Sequence, residues 1–265
     1  MLRPYQGDGG ESMTIASDIL ASLPDGRLVD VRLGLHWTAV VADVGGELRC
    51  GLASTQTEAR PHGAPPEIPS PGRLEQATAR ELAQWIQSEV ALQRSVGAAA
   101  VNALLPPPPP PFHMLNGEEV IARVGAGKSV AVIGHFPFVD RLRARVARLW
   151  VLERHPQPGD EPEEAAGLFL PQADVVALTG ATFVNGTIDA LLGMCRPEAR
   201  VIVLGPSTPL SPILYDRGVD ILAGAIVEKI DPVVRGVSQG AGFRQLHNLG
   251  VRLITVTRPG VELPA

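Results

Sequence analysis

The chain has 265 residues, of which 45% are hydrophobic and 19% charged, and its formal net charge is −5. This composition is typical of one large or two modest globular domains, and the acidic balance argues against nucleic-acid binding. No apolar run reaches the roughly 18 residues that a membrane span requires, and the N-terminus lacks a signal-peptide core. The two cysteines form no C-x-x-C pair and fit a reducing compartment, so we expect a cytoplasmic protein.

The first half of the chain predicts a small α+β domain over residues 14–105, after a polar, disordered tail at residues 1–13. Alternation over residues 28–33 predicts a half-buried strand with Val29, Val31 and Leu33 on one face. Strands at 37–43 and 48–52 follow glycine-containing turns and complete an antiparallel meander. Residues 74–105 are helical in composition, and Gly97 is expected to separate two helices.

A run of six prolines, residues 106–111, marks a stiff linker that we place at 106–115. The second domain, 116–265, begins with a helix capped by Asn116 and ending near Gly125. Short apolar runs then alternate with helical stretches, at 129–133, 149–152, 175–178, 201–204, 220–222 and 253–256. This alternation predicts a Rossmann-like parallel sheet covered on both faces. The predicted fold class is therefore α/β.

Ligands of such sheets bind beyond the carboxyl ends of the strands, so the residues after each strand are the candidate site. Gly134, His135, Phe136 and Pro137 follow the first strand, and Pro137 suits the first turn of a helix whose N-terminus is a candidate anion site. That helix is expected to bury Leu142, Val146 and Leu149. Glu153 follows the second strand, 19 residues beyond Gly134, close to the spacing of the acidic residue that binds a nucleotide ribose.

Later strands are followed by polar and glycine-containing segments. Thr179 and Gly180 follow the third strand, and Asn185 or Thr187 is expected to cap the next helix, which places Cys195 on its apolar face. The fourth strand is followed by a stiff polar loop of Gly205, Pro206, Ser207 and Thr208. The segments 154–164 and 238–242 are loop-like and suited to closing over a cleft.

Several sequence signatures are absent. The chain contains no G-x-G-x-x-G, Walker A or G-x-S-x-G motif, and its six histidines form no H-x-x-x-H or H-E-x-x-H pair. No acid, base and nucleophile set stands out either. From the residues alone, we therefore assign neither a catalytic residue nor a metal ligand.

An ordered set of short strings nevertheless resembles the heavy-metal chelation family, an uncharacterised prokaryotic group. The strings span 32–40, 100–103, 132–137, 179–180, 185–187 and 205–209, within a resemblance that covers about residues 14 to 258. The resemblance implies a first domain like the small capping domain of enolase, a Rossmann-like second domain and a site in the cleft between them. On that basis His36, Trp37, Thr38 and Asn102 reach the cleft from the first domain.

Three functions remain open. The first is binding of a divalent heavy metal or a metal–small-molecule complex, with His36 or His135 as metal contacts. The second is an enzyme that uses a nucleotide-like cofactor such as S-adenosylmethionine, held through Glu153. The third is a non-catalytic metabolite sensor whose two domains close on their ligand. We expect a small molecule or metal as partner, no nucleic acid and no membrane, and a homodimer from base rates alone.

Overall fold

The computed structural model describes residues 14–59 and 61–264, so the tail predicted at 1–13 lies outside the described residues. The first half of the chain forms a three-stranded antiparallel sheet, in the order β1-β2-β3, with helices packed on one face. Its elements are α1 Ile15–Ser22, β1 Arg27–Leu33, β2 Trp37–Val44, β3 Glu47–Ser54, α2 Ala79–Ala83 and α3 Ala91–Leu104. Short 3₁₀ turns at Leu74–Gln76 and Gln84–Gln87 flank α2.

The second half forms a seven-stranded sheet. Its elements are α4 Gly117–Val124, β4 Ser129–Ile133, α5 Val139–Arg143, β5 Arg148–Glu153, β6 Glu161–Pro162, α6 Ala166–Phe169, β7 Val175–Thr179, α7 Ala181–Asn185, α8 Ile188–Met194, β8 Arg200–Leu204, α9 Ile213–Asp216, β9 Ile221–Val227, α10 Ile230–Ser238, α11 Phe243–Leu249 and β10 Val251–Thr257. The strand order is β10-β9-β8-β7-β4-β5-β6, and only the β9–β10 pair is antiparallel. The predicted fold class, a small α+β unit followed by a Rossmann-like sheet, is confirmed.

The six predicted strands of this sheet are all present because their apolar runs are buried on both faces, as in β7, where four of five residues are inaccessible. Two features were missed. The two-residue strand β6 pairs with the end of β5, and its sequence, Glu161-Pro162, has no apolar signal. The last strand runs antiparallel because α11 returns the chain to the edge of the sheet through Gly250.

The predicted faces of β1 are correct at Val31, which packs against the buried core, and wrong at Val29 and Leu33. The register between β1 and β2 shifts between Leu28 and Asp30, which leaves Val29 as the extra residue of a β-bulge. Leu28 is therefore the buried residue, whereas Val29 and Leu33 are each 37% exposed. Because a one-residue shift moves every following side chain to the opposite face, simple alternation could not predict this strand.

Gly97 does not separate two helices, because α3 runs unbroken from Ala91 to Leu104. Gly97 instead permits a close approach between backbones. A Cβ at this position would lie 2.0 Å from the backbone nitrogen of Ile86. The small residues of α3 thus allow the helix to pack closely against the turn 84–87 and against β3, and they do not end the helix.

The helix after β4 is shorter than predicted. It contains five residues, Val139–Arg143, so Pro137 lies before it and Leu149 belongs to the next strand. Leu142 is buried as expected, and Val146 is partly buried. A helix of five residues has only a small dipole with which to attract an anion at its N-terminus, so the anion site stays a prediction.

Of the two predicted helix caps, the one at Asn116 is confirmed and the one at Asn185 or Thr187 is not. The Asn116 side chain accepts a hydrogen bond from the Glu119 backbone N–H at 2.9 Å, and α4 ends at Val124 before Gly125, both as predicted. Thr187 holds the N-cap position of α8 without a capping hydrogen bond, and Asn185 is the last residue of α7. The α8 helix starts without a side-chain cap because α7 leads into it almost directly.

One buried apolar cluster runs through both halves of the chain. It contains residues of the first sheet and its helices, such as Val40 and Val101, together with Ile133 and Leu178 of the second sheet. The segment after the prolines is tied to the second sheet, where His113 and Thr255 exchange two backbone hydrogen bonds of 2.8 Å. The domain boundaries themselves stay a prediction.

Across the described ranges, no helix combines the length and the apolar character needed to cross a bilayer.

Candidate functional site

A cavity of about 530 Å³ lies where the strand order of the large sheet reverses. From β4 the chain continues to β5 and β6 on one side, and then crosses to β7, β8 and β9 on the other. The reversal therefore falls between β4 and β7, and ligands of open α/β sheets bind outside the carboxyl ends of the strands at such a point. We call this space the switch-point cavity. Six predicted site residues line it, namely Gly134, His135, Phe136, Glu153, Thr179 and Asn185.

Gly134 turns the chain sharply at the end of β4. Its φ of +103° is a conformation that residues with a side chain rarely adopt. A Cβ here would also press against the Thr179 side chain, 3.3 Å away on the neighbouring strand. Glycine thus lets the loop 134–138 leave the sheet directly beside β7, which brings His135 to the rim of the cavity.

A buried carboxylate orients the ring of His135. Nδ1 of His135 lies 2.7 Å from Oδ2 of Asp160, whose side chain is fully buried, while the histidine side chain is 22% exposed. The backbone N–H of Gln157 donates to the same Asp160 oxygen at 3.0 Å. Nε2 of His135 makes no hydrogen bond within the described ranges and is the ring nitrogen left for a ligand. Sequence reasoning missed Asp160, because it lies in a loop 25 residues from His135.

Glu153 holds the loops at the cavity entrance. Its Oε2 accepts the backbone N–H of His135 at 2.8 Å, and its Oε1 accepts those of Arg154 at 2.8 Å and His155 at 3.4 Å. Both carboxylate oxygens are therefore engaged by the protein itself. The role in binding a ribose stays a prediction, since Oε2 accepts only one hydrogen bond and retains a lone pair.

Replacing Glu153 with glutamine should destabilise the fold. The amide NH₂ would face a backbone donor that the carboxylate now accepts, and a charge-assisted hydrogen bond would be lost. We expect the free energy of unfolding, measured by urea titration, to fall by about 1–3 kcal/mol. The matched control is Glu161→Gln, an exposed position that should change little. Equal stability of the two variants would show that the three amides do not depend on Glu153.

The opposite wall of the cavity comes from the first half of the chain. It consists of Gln56, Thr57 and Glu58, which follow β3, together with Ala91 and Arg94 of α3. The Arg94 guanidinium donates to three backbone carbonyls, those of Val184 at 2.5 Å, Ser88 at 2.9 Å and Glu89 at 2.8 Å. Sequence reasoning missed this wall because it examined strand ends in the second half only, and the family resemblance pointed to other first-half residues. The polar run directly after β3 was the available signal.

The remaining predicted site residues lie elsewhere. Pro137, Gly205 and Pro206 line a second cavity of about 480 Å³, which shares Phe136 with the first. Asn102 and Thr208 line a third space of about 180 Å³ between the two sheets. The sequence had treated all of these residues as parts of one site.

Six predicted residues line none of these three cavities, and most make structural contacts. Trp37 packs against Phe243 with ring centroids 5.6 Å apart, and Thr38 is buried with its hydroxyl 2.9 Å from that of Thr55. His36 is exposed in the turn before β2, and Thr187 begins α8. Gly180 passes so close to Thr208 that a Cβ would lie 2.5 Å from its nitrogen. The Ser207 hydroxyl accepts the Ser54 backbone N–H at 2.8 Å, which links the two halves.

A complete metal centre is not formed by the side chains alone. Within residues 14–59 and 61–264, no group of three or more His, Cys, Asp or Glu side chains is placed to hold a metal ion. Structural zinc sites use four such ligands and catalytic sites use three. The described residues therefore do not fit a bare structural or catalytic ion.

The two thiols are poor metal ligands in the folded protein. Burial raises the pKa of the Cys195 thiol to about 11, and burial together with the nearby Asp30 carboxylate raises that of Cys50 to about 12. Cys195 packs against the apolar cluster at the end of α8, as predicted. Both groups are protonated at neutral pH, and the thiolate is the form that binds metals.

We expect both cysteines to react slowly with Ellman's reagent at pH 8. Because only the thiolate reacts, the native protein should react at least roughly 100-fold more slowly than the same protein in concentrated urea. The time course of absorbance measures both rates on one sample. A native rate equal to the denatured one would show that the thiols are accessible and ionised.

The fold and the cavity define a class of two-part α/β proteins with a ligand-sized space at the switch point of a Rossmann-like sheet. The chain belongs to the family DUF364, described as "Putative heavy-metal chelation", whose model matches residues 118–255. A second model with the same description, DUF4213, matches residues 16–105. The family resemblance read from the sequence is thereby confirmed, whereas the likeness of the first half to enolase stays a prediction.

Individual relatives agree with this membership. An uncharacterized protein of Methanocaldococcus jannaschii is 26% identical over 217 residues, which cover 78% of this chain and 80% of that protein. A crystal structure of a DUF364 protein with unknown function from Desulfitobacterium hafniense superposes with a TM-score of 0.79 at 27% identity, covering 92% of this chain and 98% of the other. A DUF364 protein of Pyrococcus horikoshii, 21% identical with a TM-score of 0.77 and the same coverage, shares the fold.

Proposed function

We propose that the switch-point cavity binds a heavy-metal ion carried by a small chelating molecule, with Nε2 of His135 as the protein's ligand to the metal. The observation that carries the proposal is the 2.7 Å contact between Nδ1 of His135 and the buried carboxylate of Asp160. Histidines that bind metals almost always donate their other ring N–H to a carboxylate or carbonyl. The carboxylate selects the tautomer with a free Nε2 and fixes the orientation of the ring.

The absence of a three-ligand cluster from the described residues favours a complex over a bare ion. One imidazole is too few ligands to extract a metal from water, but it suffices to complete the coordination of a metal whose other donors come from a chelator. Imidazole suits Ni²⁺, Cu²⁺ and Zn²⁺ in particular. A volume of about 530 Å³ leaves room for such a chelate, since small-molecule pockets span roughly 300–1,000 Å³.

The charges around the cavity suit a chelator with both carboxylate and amino groups. Glu58 and Glu163 contribute negative charge, while Arg94 and Arg154 contribute positive charge. Arg154 pairs with Glu163 at 2.7 Å and is still 45% exposed. The wall from the first half of the chain and the wall from the second thus each contribute acidic and basic side chains to the same space, as an amino-acid-like chelate requires.

Titration calorimetry of the purified protein tests this proposal. Ni²⁺, Cu²⁺ and Zn²⁺ are each titrated as free ions and as one-to-one complexes with histidine or iminodiacetate. We expect at least one complex to bind with one equivalent per chain and roughly 10-fold or more tighter than its free ion, which corresponds to about 1.4 kcal/mol. A free ion that binds as tightly as every complex would contradict the proposal, as would the failure of all complexes to bind.

A nucleotide-like cofactor such as S-adenosylmethionine is the second candidate. The position of Glu153 at the end of β5, next to the switch point, is where Rossmann-like proteins bind ribose. Its two oxygens already accept backbone amides, which makes the first candidate the stronger one. Adding S-adenosylmethionine to the same titration separates the two: binding without metal would favour the cofactor.

A further inference from the structure

The second cavity, of about 480 Å³, has a different character from the switch-point cavity. It lies between the loop 134–138, the end of β8 and α11, and it shares only Phe136 with the first cavity. Most of its wall is apolar, including Leu204, Ala223 and Ile254 of the large sheet. We call it the apolar cavity. The function proposed above does not involve the apolar cavity.

Aromatic rings form one side of the apolar cavity. Phe136 and Phe138 lie nearly parallel, with their planes at 13° and their centroids 5.1 Å apart. Phe243 forms another part of the wall. All three rings are only partly buried in the protein. A flat ring that enters this space gains aromatic contacts in addition to the burial of its apolar surface.

The charged groups of the wall carry an excess of positive charge. Arg141 is neutralised by Glu118, which it holds through two hydrogen bonds of 2.9 and 2.6 Å. Arg244 also lines the cavity, and its guanidinium makes no hydrogen bond or ion pair within the described part of the chain. One carboxylate therefore faces two guanidinium groups, and the uncompensated one lies at the exposed rim.

We propose that the apolar cavity is a second binding site, for a small flat aromatic molecule that carries one carboxylate. The ring lies against Phe138 and the apolar sheet residues, and the carboxylate pairs with Arg244, whose planar guanidinium matches it in geometry. The volume of about 480 Å³ has room for one or two fused rings. The proposal does not depend on what the switch-point cavity binds, since Phe138 and Arg244 do not line that cavity.

Titration calorimetry with 2-naphthoate tests the second site, with naphthalene-2-methanol as the uncharged analogue and cyclohexanecarboxylate as the non-aromatic one. With 13 heavy atoms at the modest efficiency of ordinary ligands, 2-naphthoate should bind with a Kd of about 1 mM or tighter. Both analogues should bind more weakly. Equal affinity of the uncharged analogue, or no saturable binding of 2-naphthoate, would overturn the proposal.

Substitutions locate the site. Arg244→Gln should weaken 2-naphthoate binding by roughly 10-fold, whereas Arg235→Gln, an exposed arginine on the adjacent helix α10, should leave it within about two-fold. Leu253→Trp fills the cavity from the sheet edge and should weaken binding at least as much. Arg244 is exposed, so its replacement should leave the protein folded. The Arg244→Gln variant therefore tests the proposal even if the Leu253→Trp variant does not fold. Equal effects of the two arginine substitutions would place the ligand elsewhere on the surface and overturn the assignment.

The apolar wall also fits burial against a second copy of this chain. In that case 2-naphthoate affinity would fall as protein concentration rises, in parallel with dimer formation measured by sedimentation. That result would overturn the small-molecule proposal. Affinity that is independent of protein concentration supports it.

Discussion

Replacing His135 with asparagine should abolish binding of the metal complex while leaving the protein folded. The asparagine amide occupies nearly the place of Nδ1 and continues to donate to Asp160, so the buried carboxylate is not left unpaired. The variant lacks Nε2, the only ring nitrogen available to a metal. We expect the affinity for the complex that binds best to fall by roughly 100-fold or more, measured by the same calorimetry.

The matched control is His36→Asn, because His36 is exposed and lines none of the three cavities. It should bind the complex as the unaltered protein does. Loss of binding in this variant, with binding retained in His135→Asn, would move the metal contact to the first half of the chain and contradict our proposal.

Asp160→Asn separates orientation from direct ligation. The asparagine keeps the size of the side chain but removes the charge that selects the His135 tautomer. Second-sphere changes of this kind typically weaken metal binding 10–100-fold. We therefore expect an intermediate affinity, between those of the unaltered protein and His135→Asn. An unchanged affinity would show that the contact with Asp160 is structural only.

Replacing Gly97 with alanine should strongly destabilise the protein, because the added methyl group overlaps backbone atoms. The added Cβ would lie 2.0 Å from the nitrogen of Ile86 and 2.5 Å from the carbonyl carbon of Trp85. Both are backbone atoms, so no change of rotamer relieves the overlap and α3 must move away from the turn 84–87. Overpacking usually costs about 1–3 kcal/mol, and we expect the upper end or more here. Urea titration measures the loss.

Gly193→Ala in α8 is the matched control. Nothing lies within 4 Å of a Cβ at Gly193, and alanine favours the helix over glycine by up to about 1 kcal/mol. The two identical substitutions should therefore change the free energy of unfolding in opposite directions. An increase of similar size in both would mean that helix α3 accommodates the methyl group by a small shift, and would contradict the prediction.

Much of the candidate site was predictable, because it depends on strand order and on local conformation. Gly134 and His135 come directly after a buried strand, Glu153 ends the next one, and the carboxyl ends of parallel strands meet at one edge. The partner of His135 was not predictable, since Asp160 reaches it from a loop with no periodic pattern. The wall at Gln56 and Arg94 depends on how the two sheets pack together, which no local pattern encodes.

The sequence by itself determined six of the seven strands of the large sheet, the cap at Asn116 and the fold class, because burial on both faces and side-chain capping act within a few residues of the chain. Only the tertiary structure decided the bulge at Val29, the role of Gly97 and the division of one predicted site into separate cavities. These features arise from contacts between residues distant in sequence, where the shape and charge of the neighbouring element determine which arrangement is lowest in free energy.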